Sequence, residues 1–196
     1  MTGWRATWVV ARVWGARPIG LALVGMGALA ALWQGRLAVP MRRDVAELVW
    51  PLAPLLLGFT VPSAAARAWT AEERVAPRSG WLRRLTFVGA VSGVAVVACA
   101  SLTLLHPFSV LARNAALLVG VGLAGAVLLP ASLRWFPPVM VPIAMWLWGA
   151  RSAGEPAAAW AVLLHRSGSF PALWVAAACF VTGVVLYVLL PRPLAD

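Results

Sequence analysis

Residues 170–190 read FPALWVAAACFVTGVVLYVLL, and no acidic or basic side chain interrupts them. A helix needs about 20 apolar residues to cross a bilayer, so this stretch has the length and composition of a transmembrane span. The whole chain is similar: 62% of its 196 residues are hydrophobic, 11% are charged and the mean hydropathy is +0.87. Soluble domains carry about 25% charged residues. The composition therefore excludes soluble, disordered and disulfide-stapled secreted domains, and predicts an all-α integral membrane protein.

Five further apolar stretches lie between the charged positions, none of them containing Asp, Glu, Lys, Arg or His. The six predicted spans cover residues 18–34, 48–66, 85–105, 115–133, 135–150 and 170–190. The fifth is short and contains Pro137, Pro138 and Pro142, so we expect a broken or tilted segment there. Six spans are predicted, with five as the alternative.

The basic residues predict an orientation. All 16 are arginine, and the net charge is +10. They lie between apolar stretches, which favours a role in membrane orientation over nucleic-acid binding. Ten fall on the side of the N-terminus and six on the other. Because arginine is enriched in cytoplasmic loops, we expect both termini in the cytoplasm. The lysine-free usage, rich in Ala, Arg, Gly, Pro and Trp, is typical of a GC-rich bacterial genome, so a multi-pass protein of the bacterial plasma membrane is predicted.

The segment before the first span has the pattern of an in-plane helix. In residues 4–17, Arg5 and Arg12 fall on one arc of a helical projection, and the tryptophans Trp4, Trp8 and Trp14 fall on another. Tryptophan at the headgroup level beside arginine is typical of an interfacial helix. The alternative is a basic flank without a fixed shape.

No group of residues in the sequence has the pattern of a catalytic, cofactor-binding or metal-binding site. The paired acids Glu72 and Glu73 are predicted at the cytoplasmic face, whereas His106 and His165 are predicted at outer span ends with a wet ring nitrogen. A metal or acid–base site that joined them would have to cross the bilayer. Phosphate-binding G-x-x-x-x-G-K-[ST], H-E-x-x-H and G-x-S-x-G patterns are lacking. We therefore predict no catalytic residue, cofactor site or metal site in this chain.

Small residues recur at helix-packing spacing. Gly89 and Gly93 form a GxxxG pattern on the third span, and Gly122 and Ala126 form a small-xxx-small pair on the fourth. Such pairs let helix backbones approach closely, either within the chain or across a dimer.

Two loops are long enough to carry function. The cytoplasmic loop 67–84, RAWTAEERVAPRSGWLRR, combines a mixed-charge helical stretch with a tryptophan, which is typical of a docking surface for a soluble partner. Its candidate docking residues are Trp69, Glu72, Glu73, Arg74 and Arg78. The alternative is an ordinary loop of the positive-inside type. In the outer loop 151–168, the stretch 155–164 (EPAAAWAVLL) predicts a short helix that dips into the membrane, and the alternative is a surface loop with one buried turn.

Together these segments resemble the membrane subunits of ABC-2-type ABC transporters, which have the type V exporter architecture. That family has an in-plane N-terminal helix, six spans, a cytoplasmic coupling helix between spans 2 and 3 and short re-entrant outer helices between spans 5 and 6. Residues 4–17, 67–84 and 151–168 occupy those three places. The stretch 113–130, RNAALLVGVGLAGAVLLP, looks like small actinobacterial permeases of this kind.

The resemblance implies a permease subunit of an ATP-driven exporter that moves a hydrophobic or amphipathic substrate such as a lipid, a peptide or a drug-like molecule. A cytoplasmic ABC ATPase subunit would bind ATP and Mg²⁺, and a second membrane subunit, a copy or a homologue, would complete the pathway. Two alternatives remain. One is a non-catalytic accessory or assembly subunit of a larger membrane complex, and the other is a membrane enzyme or carrier that acts alone.

Overall fold

The computed structural model describes residues 16–32, 36–39, 42–48, 50–73, 80–102, 106–149, 157–165 and 168–190. These residues form six α-helices and a two-stranded hairpin. The helices are α1 (Ala16–Leu32), α2 (Leu55–Glu73), α3 (Gly80–Ser101), α4 (Phe108–Leu128), α5 (Phe136–Gly149) and α6 (Phe170–Leu189). Short 3-10 helices lie at Trp50–Leu52, Ala131–Leu133 and Val162–Leu164.

Three of the helices have the length and composition of membrane spans: α3 over Arg84–Ser101, α4 and α6. The apolar parts of α1 and α2 are shorter, at Arg17–Leu29 and Leu55–Ala66. The 14 residues of α5 extend over roughly 21 Å at about 1.5 Å per residue, less than the roughly 30 Å of a hydrocarbon core.

The connection between α1 and α2 is a β-hairpin, which the sequence patterns did not predict. Strand β1 (Arg36–Val39) pairs antiparallel with β2 (Arg42–Leu48), so that Arg36 lies opposite Leu48. The second span was predicted to begin at Leu48, but that residue ends β2 and the helix begins at Leu55. Pro54 accounts for the later start, because its carbonyl accepts the first helical hydrogen bonds of the following turn and its own nitrogen has no hydrogen to donate.

The helices α2, α4 and α6 run parallel to one another. Gly58 of α2 lies against Leu118 of α4, and Pro62, one turn later, lies against Gly122. The start of α6 lies beside the start of α4, and the middle of α6 lies against Gly120. We call the end of the bundle at which these three helices begin the upper end, and the opposite end the lower end.

Helices α3 and α5 run in the opposite direction. Arg84, near the beginning of α3, lies at the lower end beside the last residues of α6. The first turn of α5 lies there too, since Pro137 contacts Gly125 of α4, and the last residue of α5, Gly149, lies against Ala161 of the following segment. Successive helices from α2 to α6 therefore alternate in direction.

The helix α4 lies at the centre of the bundle. In α4, 78% of the candidate span is buried, compared with 17% in α3 and 22% in α6. It packs against α2, α3, α5 and α6. The outward faces of α3 and α6 are apolar, including Val97 of α3 and Trp174 of α6, and such faces are stable against lipid.

Two predictions about the fourth and fifth spans differ from the structure. The fourth span was predicted to begin at Ala115, after a charged residue, whereas α4 begins at Phe108 and includes Arg113 and Asn114. The fifth span was predicted to be broken or tilted, and α5 is not broken, since it runs continuously through Pro142. Pro137 and Pro138 lie in its first turn, where a missing backbone N–H leaves no intrahelical hydrogen bond unmade.

Candidate functional site

The upper end of the bundle contains a buried polar group, the Arg113 cluster, consisting of Arg113, Asn114 and His165. Arg113 is 4% exposed and Asn114 is fully buried. The Arg113 Nε donates to Asn114 Oδ1 at 3.1 Å, and Nη2 donates to the His165 carbonyl at 2.6 Å. The Asn114 amide donates to the Pro51 carbonyl at 2.9 Å and lies 3.4 Å from the Leu163 carbonyl. These bonds connect α4 to the turn before α2 and to the segment 157–165.

These hydrogen bonds explain why α4 includes an arginine that the sequence pattern places outside the span. A charged side chain in an apolar environment is costly unless its donors are paired. The His165 carbonyl and the Asn114 amide oxygen supply acceptors to the Arg113 guanidinium. The helix can therefore extend upward past the charge by about one and a half turns, back to Phe108.

Both histidines lie deeper than a solvent-facing position at a span end. His106 is 5% exposed, so the prediction of a wet interfacial ring is wrong for this residue. His165 is half-buried, and its Nε2 lies 3.1 Å from the Ala158 carbonyl.

The segment 157–165 is packed into the upper end. Ala158, Ala161, Val162 and Leu163 are buried, although only Val162–Leu164 is helical, as a 3-10 turn. Of the short helix expected over 155–164, the described part of that stretch forms only this 3-10 turn. Residues 151–156 lie outside the described residues. This short segment is buried against the starts of α4 and α6 and the end of α5.

A second polar group, the Arg84 cluster, lies at the lower end and consists of Arg84 and Tyr187. The Arg84 Nη1 lies 3.4 Å from the Tyr187 and Val188 carbonyls and 3.1 Å from the Leu190 carbonyl. These carbonyls belong to the end of α6, where helical acceptors have no intrahelical donor and a positive charge complements the helix dipole. The Tyr187 hydroxyl donates to the Ala65 carbonyl of α2 at 3.2 Å, so α2, α3 and α6 are joined at this end.

Glycine contacts hold α4 against its neighbours between the two clusters. A Cβ at Gly122 would lie 2.5 Å from the Gly58 carbonyl oxygen and would overlap Pro62. Pro62 has no N–H to donate to that same carbonyl, which therefore faces α4. On the other side of α4, a Cβ at Gly120 would lie 2.5 Å from the Cys179 carbonyl oxygen, and one at Gly183 would overlap Gly120. Only glycine fits at these backbone crossings.

The other small residues singled out in the sequence fall into two groups. Ala126, like Gly122, is buried within the chain. Gly89 and Gly93 lie on an exposed face of α3, and a Cβ at either position would meet nothing within 4 Å.

An apolar cleft of about 170 Å³ opens between α3, α4 and α6. Val91 and Cys99 of α3, Ala115 and Val119 of α4, and Phe180 of α6 contribute to its walls. Ser92 adds a hydroxyl to a lining that is otherwise almost entirely hydrocarbon. Such a cleft can hold an apolar group but offers few polar atoms to orient one.

The predicted docking residues are described only in part. Trp69, Glu72 and Glu73 belong to the last turns of α2, which runs without a break from Leu55 to Glu73. The expected helix between spans 2 and 3 is thus, in its described part, an extension of α2 rather than a separate element. Arg74 and Arg78 lie outside the described residues. So do the predicted interfacial residues Trp4, Arg5, Trp8, Arg12 and Trp14.

Within the part of the chain that the structure describes, no group of three or more His, Cys, Asp or Glu side chains is placed to hold a metal ion. The two arginine clusters bond to backbone carbonyls and amides, so they are arranged to hold helix ends.

No family model, curated protein or solved structure matches the chain.

Proposed function

We propose that the chain is the membrane-spanning permease subunit of an ATP-driven exporter, with six spans and both termini in the cytoplasm. It works with a separate ATPase subunit and a second membrane subunit, and moves a hydrophobic or amphipathic substrate. Its membrane is the bacterial plasma membrane.

The observation that carries this proposal is the length of α2. Its apolar part, Leu55–Ala66, continues without interruption into residues 67–73, which include Arg67, Glu72 and Glu73. These seven residues extend over about 10 Å at about 1.5 Å per residue. A charged end on a continuous helix is a rigid connection between a cytoplasmic partner and the membrane part of the chain.

The packing of α2 supports a coupling role. Gly58 and Pro62 lie against the central helix α4, and the Ala65 carbonyl accepts a hydrogen bond from Tyr187 of α6. A displacement of residues 67–73 by an ATPase would therefore move a helix in direct contact with both α4 and α6. Glycine crossings transmit such movement well, because close-packed backbones cannot absorb it by side-chain rearrangement.

The alternating directions of α2 to α6 support the six-span part of the proposal. In that arrangement α5 crosses with its short length and its prolines accommodated by the neighbouring helices. The exposed Gly89–Gly93 face of α3 supports a second membrane subunit, since a GxxxG face lets another helix approach closely. The apolar cleft between α3, α4 and α6 supports a hydrophobic substrate.

The proposal is tested by purifying the full chain from its native membrane in mild detergent and identifying the proteins that accompany it. We expect a stoichiometric nucleotide-binding subunit. Glu72→Arg combined with Glu73→Arg should release it, because the substitutions reverse the charge of the docking segment.

A matched control is Asp44→Arg with Glu47→Arg, which reverses two acids in the hairpin strand β2 at the predicted outer side. This variant should retain the ATPase subunit. A stable complex without any nucleotide-binding subunit would overturn the proposal and favour the accessory-subunit alternative. Retention of the ATPase by the Glu72 and Glu73 variant would remove the docking role.

A further inference from the structure

A small cleft with a mostly hydrocarbon lining lies at the upper end of the bundle, between the first turns of α4 and α6. Its volume is about 130 Å³. The lining residues are Ser109, Arg113, Gly168, Ser169, Phe170 and Leu173. Neither the exporter proposal nor the hydrogen bonds within the Arg113 cluster assign a role to this cleft.

One wall carries a fixed positive charge. Arg113 is 4% exposed, and its guanidinium is held in place by its bonds to Asn114 and to the His165 carbonyl. Ser109 precedes Arg113 by four residues on the same helix, so the two side chains lie on one face. A positioned guanidinium beside a hydroxyl is a combination that binds phosphate and carboxylate groups.

The facing wall is the beginning of α6. Gly168 has φ +92°, a left-handed conformation that turns the chain into the helix. Ser169 follows at the N-cap position, and its hydroxyl makes no capping hydrogen bond. Pro171 in the first turn of α6 has no N–H, and the Leu173 N–H bonds to the Ser169 carbonyl. This wall therefore contributes the Ser169 hydroxyl and the positive end of a helix dipole to a cleft already lined by Arg113.

The size and the rim of the cleft limit what can occupy it. Pockets for drug-sized ligands measure about 300–1,000 Å³, so a cleft of about 130 Å³ holds only a small group. Phe170 and Leu173, at its edge, are 72% and 48% exposed. A molecule whose anionic group enters the cleft would thus have its apolar part against these side chains, on the outer surface of α6.

We propose that this cleft binds the phosphate group of an anionic phospholipid, with the acyl chains lying along Phe170 and Leu173. The cleft lies where α4 and α6, two helices long enough to span a membrane, both begin. That level of the bundle corresponds to the headgroup region. The bound lipid would bridge the starts of the two helices, and the proposal does not depend on the exporter assignment.

The test is the thermal unfolding of the purified full chain in a neutral detergent, titrated with three probes. Phosphatidylglycerol carries both the anion and the acyl chains, diacylglycerol carries only the chains, and inorganic phosphate carries only the anion. We expect phosphatidylglycerol to raise the unfolding temperature in a saturable manner, and the other two probes to have little effect. Equal stabilisation by diacylglycerol, or by inorganic phosphate, would overturn the proposal.

Variants then locate the site. Ser109→Ala combined with Ser169→Ala should weaken the affinity for phosphatidylglycerol by at least about fivefold, because two hydrogen bonds to the phosphate are lost. The matched control is Ser63→Ala with Ser101→Ala, which removes two exposed hydroxyls that bond to their own helices, at the Phe59 and Ala98 carbonyls. It should leave the affinity unchanged.

Arg113→Gln should abolish the preference for phosphatidylglycerol over diacylglycerol, while Arg17→Gln, which removes an exposed arginine at the start of α1, should not. If Arg113→Gln fails to fold, the two serine pairs still decide the question, since these hydroxyls hold no part of the core. Equal phosphatidylglycerol affinity in both serine pairs would overturn the proposed location.

Discussion

Arg113 is a charged residue that is buried within an apolar helix, α4. An arginine within an apolar helix costs free energy unless acceptors surround it, and here one acceptor is the neighbouring Asn114 and another is the distant His165 carbonyl. The cluster is satisfied as a unit, because Asn114 both accepts from Arg113 and donates to the Pro51 carbonyl. A substitution at any one of these residues is therefore expected to affect the hydrogen bonds of the whole cluster.

Arg113→Leu should destabilise the protein by about 1–3 kcal/mol, because the His165 carbonyl and the Asn114 oxygen lose their donor. Arg113→Lys should recover part of this loss, since one ammonium can reach fewer acceptors than the guanidinium fork. The measurement is equilibrium unfolding in mixed micelles with a denaturing detergent. Arg17→Leu, at an exposed arginine, is the control, and equal stability of the Arg113 and Arg17 variants would contradict the expectation.

Tyr187 joins α6 to α2 through a single hydroxyl. Tyr187→Phe keeps the buried ring and removes the hydroxyl that bonds to the Ala65 carbonyl, so we expect a loss of about 0.5–1.5 kcal/mol in the same unfolding measurement. In the exporter proposal this variant should also lower substrate-stimulated ATP hydrolysis by the complex. A variant with unchanged stability would show that the bond contributes nothing measurable.

At the scale of elements, which helices pack closely against each other depends on where glycine allows two backbones to cross. Helix α4 has such crossings on two sides, with α2 at Gly122 and with α6 at Gly120. The GxxxG pattern of α3, by contrast, faces outward and holds nothing within the described chain. Identical spacing thus corresponds to a packing site in one helix and an open face in another.

Gly120→Val should destabilise the protein by about 1–3 kcal/mol or more, because its Cβ would lie 2.5 Å from the Cys179 carbonyl oxygen and backbone cannot move aside cheaply. Gly89→Val, where a Cβ meets nothing within 4 Å, should leave the unfolding of the isolated chain unchanged. Thermal unfolding of both variants distinguishes the two faces. Comparable losses would mean that α3 packs through Gly89.

At the scale of the whole molecule, the alternation from α2 to α6 predicts which loops share a side of the membrane. In a chain whose Cys99 and Cys179 are replaced by alanine, single cysteines introduced at Trp81 and Ala131 lie at the lower end, and one at Ser109 lies at the upper end. A membrane-impermeant thiol reagent should label Ser109→Cys from outside in intact cells, and the other two only after permeabilisation. Labelling of all three from one side would contradict the six-span topology.

Some features of the fold and of the candidate site could be predicted from the sequence, and others could not. The apolar stretches around α3, α4 and α6 are recognisable in the sequence, because span length and hydropathy depend only on local composition. The start of α4 was misplaced by seven residues, since the His165 carbonyl that accepts from Arg113 lies far along the chain. The β-hairpin was missed because its strands are short and rich in charge, a composition that also fits a loop. The hairpin is stabilised by hydrogen bonds between its two strands, which local composition does not reveal.

Local composition and periodicity thus determine the class of this protein, a helical membrane protein with apolar helices separated by arginine-rich loops. The contacts of residues distant in sequence decide the rest: the central position of α4 and the burial of Arg113 and His106. The physical reason is that an apolar helix is equally stable against lipid and against another helix. Only close approach at glycine and hydrogen bonds between elements distinguish the two.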